Sequence, residues 1–180
     1  MLTIEQKKQI KLYKYLGAML IEKGQWFLKK SFNVKFARII TGNELKNFLN
    51  GLGVENAYCS DNKYYIVDWK VMRSIIKYDW TDRKKYLVDR RDCDDFANAF
   101  KSNLSVIYGI NSIGLARNVK VHIISENRDV WHRCNLILAT EDNALKAFVF
   151  EAQSDGYQQL TKGVPIQIGG WQYQLGFIDF

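Results

Sequence analysis

One proline in 180 residues, no low-complexity tract and no apolar run long enough to cross a bilayer leave no mark of a linker, a disordered tail or a membrane span. The opening MLTIEQKKQIK lacks the uninterrupted apolar core of a secretory signal, which points to a cytoplasmic chain or one exported by another route. Cysteine is scarce as well. Cys59, Cys93 and Cys134 form no CxxC pair, and an odd count leaves at least one unpaired. A zinc site drawn from these three and His132 has no supporting ligand spacing. No nucleic-acid-binding motif accompanies the net charge of +7, so nucleic acid is not an expected partner, although the basic balance favours weak binding to polyanions.

What is present is an ordinary globular balance, 47% apolar and 25% charged, in a length suited to one domain over 1–180. Ile4, Ile10, Tyr13, Leu16 and Leu20 recur at helical spacing within 3–30, with Gly24 as a break. Thr41 and Glu44 form a capping box opening a helix that Gly51 or Gly53 ends. AYCSDNKYYIVDW reads as a small hairpin around Ser60–Lys63, after which Asp68 caps the helix WKVMRSIIKYD. This first portion is mainly helical, and the division expected is a helical part over 1–57 and a core over 58–180.

The stretch DRRDCDDFANAF poses the functional question, because it sets a thiol among three carboxylates. Cys93, Phe96, Ala97, Phe100, Leu104 and Ile107 make one apolar helical stripe, with Asp92 as N-cap and Asp95 where a capping box wants an acid. Strands follow over 119–125, 130–139 and 146–153, then VPIQI and WQYQLGFIDF. Val130, His132, Cys134, Leu136 and Leu138 share a face. If EDN is the turn, a register pairing Leu138 with Leu145 sets Cys134 against Val149 and His132 against Glu151. A helix N-terminus favours an anion, and a histidine with an acceptor on its far side is a base with an orienting partner. Cys93, His132 and Glu151 are therefore the candidate nucleophile, base and orienter. Each also has a plain structural reading: core cysteine, hydrogen-bonded core histidine, strand-end carboxylate. His122 shares an outward face with Lys120.

YLVDRRDCDDFA, VWHRCN and VFEAQ, in that order, resemble the papain-like cysteine protease domain of the Marasmius agglutinin type, found also in bacterial, archaeal and phage proteins. The resemblance covers about residues 58–160. It implies a papain-like α+β fold, with the catalytic cysteine at a helix N-terminus packed on an antiparallel sheet, and calcium-dependent cleavage of peptide or protein substrates by Cys93, His132 and Glu151. It also implies Ca²⁺ on Asp94 and Asp95, with Asp92 or Asp82 as a further ligand, neutralising the acids beside the thiol. Arg90 and Arg91 offer the same neutralisation without metal. HRCN departs from the family's HAWN, and the segment before Cys93 has no glutamine to complete an oxyanion hole. The alternatives are a transglutaminase-like acyl transferase or amidase, and a non-catalytic basic binding protein such as a phage accessory or virion component, placing it in the host cytoplasm or virion.

Overall fold

FARIIT, within a portion expected to be mainly helical, and KYYIVD, expected as an arm of a small hairpin, carry enough β-branched and aromatic residues to form strands. In the computed structural model, which describes residues 34–87 and 92–180 together with the helical positions Leu16, Leu20 and Gly24, both are strands. Gly24 is thus helical rather than a break, and the remaining positions expected to be helical within 3–30 lie outside the described residues. Two compact units divide the chain, Met1–Val34 and Lys35–Phe180.

Within the second unit, β1 (Phe36–Thr41) leads into α1 (Gly42–Gly51) through the Thr41–Glu44 capping box, in which Thr41 N–H donates to the Glu44 carboxylate at 2.7 Å. The short β2 (Ala57–Tyr58) and β3 (Lys63–Asp68) do not form the expected hairpin. β2 runs parallel to the last strand, whereas β3 pairs with β1 and β5. Asp68 caps α2 (Trp69–Tyr78), accepting from Lys70 N–H at 2.8 Å. Next comes α3 (Cys93–Asn103), which passes into one π-helical turn over Leu104–Tyr108. That turn advances the phase by one residue, so Tyr108 is buried where the helical stripe pointed to Ile107.

The rest is sheet: β4 (Ile113–Ile123), β5 (Arg128–Glu141), β6 (Ala144–Glu151), β7 (Gly156–Gln159), β8 (Ile166–Ile168), β9 (Trp171–Gln174) and β10 (Phe177–Asp179). The sheet path runs β1-β3-β5-β4-β10-β2, with β6 also on β5 and β9 also on β4. The expected papain-like α+β fold is corrected by this architecture. The described residues of the second unit make a ten-stranded mixed sheet with three α-helices.

The β5–β6 hairpin also departs from the expected register. Asp142 and Asn143 take positive φ and close a two-residue turn, so Leu138 faces Ala147 and Leu136 faces Val149. The slip is two residues, not one, and every side chain keeps its face. Cys134, Leu136, Leu138, Ala147 and Val149 accordingly lie together in the main core. On another part of the sheet, Trp69 at the head of α2 stacks on Phe148 with centroids 3.7 Å apart.

Candidate functional site

Three elements converge at Cys93. Residue 93 is the first of α3, where unpaired backbone N–H groups gather. His132 lies on the inward face of β5 and Glu151 at the end of β6, both buried. His132 Nε2 stands 2.5 Å from Glu151 Oε2, and Cys93 lies near enough to the same ring to raise its pKa. The register brings Glu151 to His132 diagonally, since β6 runs two residues out of the expected pairing. The remaining contacts of Glu151 are a donation from Gln153 N–H to Oε1 at 3.3 Å and one from the Tyr173 hydroxyl to Oε2 at 3.2 Å. Burial opposes charge on His132, but the hydrogen bonds and negative charge of Cys93 and Glu151 outweigh it and raise its pKa to about 9.

The three aspartates have separate tasks. Asp95 completes the capping box by accepting from Asp92 N–H at 3.3 Å. Asp94 accepts from Arg133 at 3.0 Å, so the arginine of HRCN neutralises an acid next to the thiol. Hydrogen bonding between Asp92 and Asp94 raises the pKa of the first and lowers that of the second. Arg90 and Arg91 lie outside the described residues.

Asp92, Cys93 and Asp94 bring their ligand atoms within 4.8 Å of one another, and Asp92 Oδ1 is buried without a partner. Hard carboxylate oxygens, one of them buried without a partner, fit a calcium ion better than the soft thiol does. Asp95 stands outside this group. So does Asp82, whose Oδ1 is also buried and unpartnered. Asp82 and Asp79 face Asp155, and burial together with these two charges raises the Asp155 pKa to about 6. Among the described residues no cluster joins Cys59, Cys134 and His132 into a zinc site. Burial pushes the Cys134 thiol well up, as it does more mildly for Cys59. His122 contacts Asp129 at the surface, away from this site.

Sequence reasoning missed three residues here. Tyr173 and Trp171 reach the site from β9, Trp171 standing edge-on to His132 with centroids 5.5 Å apart. Their i, i+2 spacing marks one strand face, but only pairing of β9 with β4 sets them over His132. Asn135 is fully buried and donates to Ala97 O at 3.0 Å, tying α3 to β5.

No family model and no curated protein matches the chain. Solved structures do. One, titled "PSL1a-E64 complex", is 19% identical with a TM-score of 0.53, and the match covers 79% of this chain and 50% of that one. Another, Polyporus squamosus lectin bound to the human-type influenza-binding epitope Neu5Aca2-6Galb1-4GlcNAc, is 18% identical with a TM-score of 0.52, covering 79% and 49%. The chain thus spans about half the length of the solved chains it matches. These matches correct the functional expectation. The fold neighbours are a lectin, and a cysteine peptidase or acyl transferase acting on peptide substrates is not what they support. Among the described residues no helix is long and apolar enough to cross a membrane. What the likeness establishes is a fold, shared with part of a fungal lectin.

Proposed function

We propose that the working centre of this chain is a thiolate–imidazolium pair, Cys93 with His132, oriented by Glu151, which captures carbon electrophiles covalently. The observation that carries the reading is the buried His132 held between a thiol at a helix start and a carboxylate. The charged imidazole favours a negative sulfur beside it. In capture, Sγ forms a bond to the electrophilic carbon and the leaving atom departs with its electron pair. For an epoxide the departing oxygen takes a proton from His132. Calcium on the Asp92 and Asp94 carboxylates would supply positive charge beside the sulfur, in addition to that of Arg133. Iodoacetamide labelling followed by peptide mass spectrometry tests this. At about pH 6, Cys93 should label at least about tenfold faster than Cys59, with Cys134 inert, and calcium should hasten it relative to chelator. Labelling of Cys93 no faster than Cys59 sinks the reading. An epoxide is the second probe.

Glycan binding is the second reading. A cavity of about 310 Å³ beside Glu151, lined by Gln153, Ser154, Ile168, Gly169, Trp171 and Tyr173, favours it. Its size sits at the lower end of small-molecule sites, and it combines aromatic walls with an amide and a hydroxyl. One neighbour was solved with a sialylated epitope bound. Here the described lining carries a carboxylate and no cation, so neutral sugars suit it better than an acidic one. Titration with galactose, N-acetylglucosamine and N-acetylneuraminic acid, followed by the Trp171 indole N–H resonance, should show shifts with the neutral sugars. An unmoved resonance throughout removes this reading.

A further inference from the structure

Glu151 is a buried carboxylate, able only to accept, and its Oε2 is claimed twice: by His132 and by the hydroxyl of Tyr173. Tyr173 is itself buried, and burial together with the Glu151 charge pushes its phenol far above the ordinary range, so the hydroxyl stays protonated and donates throughout the working pH range. Its place follows from a run of cross-strand pairs. Val119 of β4 faces His132, Val121 two residues on faces Tyr173, and opposed residues share a face. The titratable groups around the His132–Glu151 pair are Cys93 at the start of α3, Tyr173 on β9 and Cys134 on the strand of His132 itself.

We propose that Tyr173 is a positioning residue of the thiol centre, aiming the Glu151 carboxylate at His132 and setting how much negative charge that carboxylate presents to the imidazole. This rests on the reading of Cys93 as a reactive thiol. A donated hydrogen bond spreads the charge of Oε2 and weakens its hold on the imidazolium proton. Removing the hydroxyl alone leaves the ring's packing in place, strengthens that hold and frees the carboxylate to swing.

The test is Tyr173→Phe, with the His132 imidazole titrated by NMR and Cys93 alkylation followed over the same pH range. His132 should titrate about half a pH unit higher in the variant, with the alkylation profile displaced and the near-UV circular dichroism unchanged. Replacing all tyrosines with 3-fluorotyrosine, whose hydroxyl is the stronger donor, should move the titration the opposite way and covers the case in which the variant folds poorly. His132 titrations that coincide in all three proteins overturn the proposal, whatever the thermal midpoints do. If Cys93 proves no more reactive than Cys59 while the His132 titration still moves, the thiol reading falls and the Tyr173–Glu151–His132 linkage stands.

Discussion

His132 holds its charge against its surroundings. Burial alone would strip the proton, yet Cys93 and Glu151 hold it to about pH 9, above the ~6.5 of an unfolded histidine. The linkage sign follows. A histidine whose folded pKa is raised contributes stability that is complete below about 6.5 and lost as pH rises through about 9. Urea unfolding at several pH values should therefore show stability falling by on the order of 3 kcal/mol across that window. The fall should flatten in His132→Gln, and an equally steep fall in that variant would assign it to other groups. Arg133 and Cys134 belong to the same scale. They look out of place beside the family pattern, but one neutralises Asp94 and the other fills the core. Their side chains face opposite ways along β5, as adjacent strand residues must.

At the scale of elements, most helix starts were legible and most strand partners were not. The capping boxes at Thr41 and Asp92 and the cap at Asp68 are contacts within three residues, so local spacing is enough to find them. Pairing of β2 with β10 joins residues about 120 apart, and no local pattern encodes it. That corner has a sharp steric requirement. A Cβ on Gly114 of β4 would lie 2.7 Å from Ile178 Cγ2 and 2.9 Å from the Phe180 ring. Gly114→Ala should cost about 1–3 kcal/mol by urea unfolding. Amide protection should drop at Ile178, whose strand would be pushed from β4. Wild-type stability and protection in the variant would show that β10 gives way freely.

For the molecule as a whole, residue types and faces were decided locally. The alternation that puts His132 and Cys134 inward survived a register error of two, because the strand period is two. Cys93 at a helix start and Asp95 closing its cap likewise follow from a few neighbouring residues. The fold class departs from expectation because 36–41 becomes a strand only by pairing with 63–68, which itself pairs with β5 rather than with the expected hairpin arm at 57–58. Such pairing is a property of distant segments, and contact energy between them leaves little trace in either alone. The sequence by itself determined the caps, the apolar faces and the chemistry on offer: a thiol, an imidazole and a carboxylate in chain order. Only the tertiary structure decided that Arg133 meets Asp94 and that β9 brings Tyr173 onto Glu151. Those contacts exist because the sheet folds β4, β5, β6 and β9 around one buried centre.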